Sequence, residues 1–159
     1  MSSPFDLRFI DSMVPHHESA IEMAKLAAER GEHAEIKRFA ADIIAAQQSE
    51  IAQMEAWRNA WDGNDSAGRN EGNSAMSGEH SMMSGGMSME KQVESLRKAD
   101  PFDKAFLAAM VPHHESAIEM AKPAVERAQH DELRELARKI VDAQARDIDR
   151  MNGWLRAWF

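Results

Sequence analysis

Four long stretches of this chain carry apolar residues at α-helical spacing, roughly 5–30, 34–61, 102–128 and 131–158. Placed at 100° per residue, Phe9, Met13, Ala20, Met23, Ala24 and Ala27 share one side of the first stretch. Asp11, Glu18, Glu22, Lys25 and Glu29 share the other. In the second stretch Ile36, Phe39, Ile43, Met54, Trp57 and Trp61 mark the apolar face. Only short turns separate the members of each pair, near Gly31-Glu32-His33 and Ala128-Gln129-His130. Ser3-Pro4-Phe5-Asp6 and Asp100-Pro101-Phe102-Asp103 each supply a cap residue, a proline at the first helical position and an acid at the third. Asp6 and Asp103 are therefore expected to cap helices rather than bind a ligand. The pattern predicts an all-α protein, an antiparallel four-helix bundle with helices about 40 Å long.

The two pairs are copies. Met13 to Lys25 returns letter for letter as Met110 to Lys122, and aligning 5–61 with 102–158 without a gap gives 30 identities in 57 positions. The expected organisation is a single domain over 1–159, with repeat one at 5–61, a Met/Gly/Ser-rich link at 62–99 and repeat two at 102–159. The link is expected to be flexible until a short helix, 88–98, re-enters the fold. Pro15 and Pro112 fall inside helices, immediately before the duplicated His-His pairs, and should kink them. Pro123 has Leu26 as its counterpart, so the copies are not perfect.

Both histidines of each pair lie on the apolar stripe. His16 falls three residues and His17 four residues after Met13, the spacings that bring helical side chains together. The apolar face of the second helix also contains Gln47 and Glu50, which are costly in a core unless partnered. Folding the hairpin about residue 32 brings these two and Met54 level with Met13, His16 and His17. The duplicate repeats the pattern with Gln144, Asp147 and Met151 level with Met110, His113 and His114. Shared packing would preserve apolar character between copies but has little reason to preserve His-His. The pattern points to a metal held in the bundle interior.

Composition narrows the metal. The 159 residues contain no cysteine and 12 methionines, and the net charge is -8. Disulfides, thiolate zinc sites and thiol nucleophiles are excluded, and the charge disfavours nucleic acid and anionic membranes. No apolar run approaches the roughly 18 residues of a membrane span, and no signal-peptide apolar segment is present. Thioether sulfur is a good ligand for Cu(I) and Ag(I) and a poor one for zinc, while imidazole serves both oxidation states of copper. Met13, His16, His17, Met54, Met110, His113, His114 and Met151 are the candidate metal ligands. Gln47, Glu50, Gln144 and Asp147 are candidate acceptors that orient the imidazoles. The link repeats the chemistry with Met76, His80, Met82, Met83, Met87 and Met89. His33 and His130, at the turns, read as helix-end residues, and the four tryptophans as packing groups. Each repeat is expected to hold its own ion.

These residues also resemble a known family. Phe-Asp-x-x-Phe, Met-x-Pro-His-His-Glu-x-Ala-Ile-x-Met-Ala and Gln-x-x-(Glu/Asp)-Ile-x-x-Met-x-x-Trp, each present in both repeats, are similar to the bacterial domain-of-unknown-function family 305, a ferritin-like group. That resemblance covers nearly the whole chain outside the link. It implies a ferritin-like bundle and, from some members, copper binding and copper resistance in the periplasm. By it, Met13, His16, His17, Met110, His113 and His114 are the positions that carry over.

The leading expectation is a non-enzymatic protein that sequesters, tolerates or transfers copper in the cell envelope. Its partners would be copper ions and another copper-handling protein, with no nucleic acid and no membrane insertion, in the periplasm or secreted. Two alternatives stay open. One is a ferritin-like dinuclear metal oxidase using the inward Glu50 and Asp147, although the Glu-x-x-His pairs of such centres are missing. The other is a bundle without metal, structural or partner-binding.

Overall fold

The computed structural model describes residues 4–62 and 89–159. Among them the chain forms five helices and no strand. They are α1 (Pro4–Arg30), α2 (Ala34–Trp61), α3 (Met89–Lys98), α4 (Phe102–Arg127) and α5 (Asp131–Trp158). The bounds match the periodicity to within a residue or two. Helices α1 and α4 run unbroken through Pro15, Pro112 and Pro123, because flanking turns hold the ladder on either side. None of these helices is long and apolar enough to cross a membrane.

Helix α1 packs on α2, α4 packs on α5, and α1 and α4 pack on each other. Helices α2 and α5 meet mainly through long side chains, such as the edge-to-face pair of Phe39 and Trp154. The α1–α2 turn is tight. Gly31 N–H donates to the Ala27 carbonyl at 2.8 Å, and a Cβ on Gly31 would stand 2.6 Å from that same oxygen. Its counterpart, Ala128, makes the equivalent bond at 3.2 Å and leaves the helix in extended geometry.

Apolar burial is split between two cores, and each draws on both repeats. The first joins the C-terminal half of α1 (Ala20, Met23, Ala24, Ala27) and the N-terminal half of α2 (Ile36, Phe39, Ala40, Ile43) to Phe102, Phe106, Leu107 and Met110 of α4, with Leu96 of α3 and Met151 of α5. The second joins Phe9, Ile10 and Met13 of α1 and Met54 of α2 to the C-terminal half of α4 and the N-terminal half of α5. Helices α1 and α4 therefore lie antiparallel, and the repeats are interlocked. Between the two cores, at the middle of α1 and α4, sit the buried histidines.

Both ends of the bundle are closed by the same cross-repeat device. Asp103, fully buried, accepts from the backbone N–H groups of Glu32 and His33 at 2.9 and 2.8 Å and from His33 Nδ1 at 2.6 Å. The His33 ring stacks on Trp158 with centroids 3.6 Å apart. At the other end, buried Asp6 accepts from Gln129 N–H, His130 N–H and His130 Nδ1, and His130 stacks on Trp61 at 3.5 Å. The two acids do cap, but they cap the opposite repeat's turn rather than their own helix. A buried carboxylate needs several donors, and the open N-terminus of the second helix of the facing hairpin supplies two beside an imidazole. The expected first-turn geometry also shifts at α4, where Pro101 is the N-cap and makes no side-chain cap bond.

Candidate metal centre

Helical phasing puts the two His-His pairs on the faces by which α1 and α4 meet, and the antiparallel crossing brings them to one level. His16 and His113 stack across the interface with ring centroids 3.9 Å apart and planes 30° apart. His17 and His114 are fully buried beside them. Burial, and then the neighbouring imidazoles, push the His16 pKa down to about 4 and the His113 pKa down to about 2. Both rings are neutral near pH 7, so each keeps a nitrogen lone pair, as a metal requires.

The hairpin register brings an acid to each inner histidine. His17 Nε2 lies 2.6 Å from Glu50 Oε1, and His114 Nε2 lies 3.2 Å from Asp147 Oδ2. An ionised carboxylate only accepts, so the ring proton belongs on Nε2 and a neutral ring then carries its lone pair on Nδ1. Both Nδ1 atoms are buried without a hydrogen-bond partner among the described residues, as is His113 Nε2. Three unpaired imidazole nitrogens in one layer are expensive, since each loses its water without replacement.

The layer is bounded by sulfur. Met13 and Met54 belong to the core on one side of it, Met110 and Met151 to the core on the other, and all four are fully buried. Met13 and Met110 lie one turn before their histidine pairs, and Met54 and Met151 one turn after the acids. Among the described residues no three His, Asp or Glu side chains converge as a ready metal-holding group. The donors at hand are therefore imidazole and thioether, with carboxylates engaged on the far side of the rings. That set fits a soft ion better than the carboxylate-rich cage of a dinuclear oxidase.

Gln47 and Gln144 are buried as well, each with its Oε1 unpartnered among the described residues. They line a cleft between α2 and α5, so their amide oxygens do not orient the imidazoles as the sequence suggested. Of the link candidates, Met76, His80, Met82, Met83 and Met87 lie outside the described residues, and so does the Met89 side chain. The tryptophans serve the end clasps and not the histidine layer. Sequence reasoning did not find the His16–His113 stack, which depends on how the two repeats cross. The clasps did leave a signal, since Asp and His recur at the same repeat positions, Asp6 with Asp103 and His33 with His130.

A duplicated four-helix bundle whose repeats press paired histidines into one buried layer bounded by methionine is the class that this architecture defines. The chain belongs to the family Domain of unknown function (DUF305), which it matches over residues 6–155. It is similar to a DUF305 fragment from Deinococcus radiodurans, with 31% identity and a TM-score of 0.80 over 98% of both chains. It is also similar to CopM, solved in Cu(II)-bound, Cu(I)-bound, silver-bound and apo forms. The Cu(I)-bound form shares 30% identity and a TM-score of 0.78 over 97% of each chain. A curated relative, Uncharacterized protein L153 of Acanthamoeba polyphaga mimivirus, is 43% identical over 49 residues. That match covers 31% of this chain and 32% of the relative.

Proposed function

We propose that this protein binds copper as cargo, without turnover, in its central Met/His layer. The observation that carries the reading is the set of buried, unpartnered nitrogens, His17 Nδ1, His114 Nδ1 and His113 Nε2, lying between fully buried methionines. A monovalent soft ion satisfies such nitrogens, tolerates low coordination number and accepts thioether sulfur, which suits a layer from which water is excluded. CopM, similar over nearly its full length, binds Cu(I), Cu(II) and silver, which supports the same cargo here. The ligands would come from Met13, His16, His17 and Met54 and from Met110, His113, His114 and Met151, with Glu50 and Asp147 holding the inner rings in the Nε2–H form. Met76, His80, Met82, Met83, Met87 and Met89 would offer further thioethers and one imidazole from the link. A cysteine-free, thioether-based site suits an oxidising compartment, the cell envelope, where thiolates do not last.

Titrating the apo-protein with Cu(I) against a competing chelator tests this. Submicromolar binding is expected, and the paired changes Met13→Leu with His17→Ala should weaken it at least tenfold. Bound Cu(I) should also raise the melting temperature, because a ligand specific to the native state stabilises it, by about 2.7 kcal/mol at a hundredfold excess over Kd. Micromolar or weaker binding that ignores these substitutions would sink the reading, and an unchanged melting temperature would favour a bundle without metal.

A further inference from the structure

The four imidazoles of the central layer do not reach solvent equally. His17 and His114 are 0% exposed, whereas His16 and His113 are 5% and 7% exposed. Small as it is, that exposure includes ring nitrogens. His16 makes no hydrogen bond among the described residues, yet neither of its nitrogens is buried and unpartnered, so both touch solvent. In His113 the same holds for Nδ1, while Nε2 is buried without a partner. Water at Nδ1 accepts the ring proton there, which leaves the Nε2 lone pair directed inward. His113 Nε2 thus joins His17 Nδ1 and His114 Nδ1 as a buried, unpartnered lone pair. Of the four rings, His16 alone offers a lone pair at the surface.

Residues one turn away on the same helix faces locate the opening. The antiparallel crossing of α1 and α4 puts Ser12 and Ser116 on one side of the His16–His113 stack and Ser19 and Ala109 on the other. Ser12 and Ser116 are exposed, Ser19 is buried and Ala109 is half-buried, so the stack opens toward the first two serines. The opposite approach, through the cleft between α2 and α5, offers an ion no lone pair on the inner rings. On that side Glu50 and Asp147 engage Nε2 of His17 and His114, so the rings present N–H there. Gln47 and Gln144 lie buried beside them.

We infer that the His16–His113 stack is the entry port of the layer, with His16 as the capture ligand and the three buried nitrogens behind it as the retaining ligands. That the ion is Cu(I) rests on the proposed copper cargo, while the port itself does not. Passage inward is ligand exchange alone. An outside ligand leaves the ion as His16 binds, His16 leaves as the buried nitrogens bind, and no electron moves. A ligand used only in passage lowers the barrier in both directions, so it sets the rate of loading and leaves the equilibrium nearly unchanged.

Two measurements on the full chain test the port. Diethyl pyrocarbonate acylates neutral imidazole nitrogens that solvent can reach. In the apo-protein it is expected to modify His16 at least tenfold faster than His17 or His114, with half-buried His33 and His130 as positive controls and peptide mass spectrometry as the readout. His17 or His114 reacting as fast as His16 overturns the port, whatever the protein binds. Stopped-flow absorbance of Cu(I) transfer from a coloured chelator complex then separates the roles of the rings. His16→Phe, which keeps a ring against His113, should slow loading at least tenfold and change affinity less than threefold. His17→Ala should weaken affinity at least tenfold. Ser12→Phe/Ser116→Phe should also slow loading, while Ala46→Leu/Ala143→Leu, which fills the α2–α5 cleft, should not. Slower loading only in the cleft variant, or weaker affinity with unchanged loading in His16→Phe, overturns the port. The expected modification order in a protein that never takes Cu(I) removes the copper reading and leaves the port.

Discussion

His16 and His113 show what burial does to a titratable side chain. Each is nearly inaccessible and faces other imidazoles, so protonation in the folded state waits until about pH 4 for His16 and about pH 2 for His113. In the unfolded chain both titrate near 6.5. A depressed folded pKa means that the unfolded state binds more protons below pH 6.5, so stability falls as pH falls through that window. The loss stops growing only below the folded values. From pH 7 to pH 5 it should reach about 2 kcal/mol per histidine. Urea midpoints at the two pH values measure it, and His113→Leu should remove about half of the dependence carried by the pair. An identical pH slope in that variant would mean that other groups govern acid lability.

At the scale of elements, α3 is the informative case. Its ten residues are too few to be stable alone, and it holds its place through Leu96 in the first core and through Arg30. The Arg30 guanidinium donates to the carbonyls of Leu96, Arg97 and Ala99 at 2.6, 2.7 and 2.8 Å, the orphan acceptors at the end of that helix, and covers the Phe102 ring. Arg127, its counterpart, likewise covers Phe5. Ala105 and Ala109 of α4 pack against the core that Leu96 joins, whereas the matching positions on α1, Arg8 and Ser12, are polar and exposed. Arg30→Met should therefore unlatch α3 selectively. Hydrogen exchange is expected to accelerate at least tenfold over residues 89–98 while α1, α2, α4 and α5 keep their protection. Uniform acceleration across all five helices would show that Arg30 supports the whole bundle instead.

For the whole molecule, cohesion between repeats depends on two mixed cores and two end clasps. Asp103→Ala would strand Glu32 N–H, His33 N–H and His33 Nδ1 at once, and Asp6→Ala would do the same to the opposite turn. Each substitution should destabilise by about 3 kcal/mol, the scale for losing a buried charged acceptor that serves several donors. Equilibrium urea unfolding followed by tryptophan fluorescence reads both the loss and the disrupted His33–Trp158 stack. A change below about 0.5 kcal/mol would show the clasps to be incidental.

Much of this architecture was legible along the chain. Helical periodicity, short turns and an ungapped duplication determined the four long helices, because each is a local pattern that the backbone must obey. The same periodicity placed His16, His17, His113 and His114 on interior faces and set Glu50 and Asp147 at their level, since hairpin register is simple counting. Met13, Met54, Met110 and Met151 followed from the same arithmetic, and the missing cysteines directed attention to soft ligands other than thiolate. Tertiary structure alone decided how the hairpins cross. The antiparallel contact of α1 with α4 stacks His16 on His113, draws the histidines of both repeats into one layer, and sends Asp6 and Asp103 to the opposite repeat. It also leaves α2 and α5 apart, opening the cleft lined by Gln47 and Gln144. Sequence spacing encodes what lies within one helix or one hairpin; the packing of two hairpins depends on side-chain shape over the whole interface, and no spacing along the chain records it.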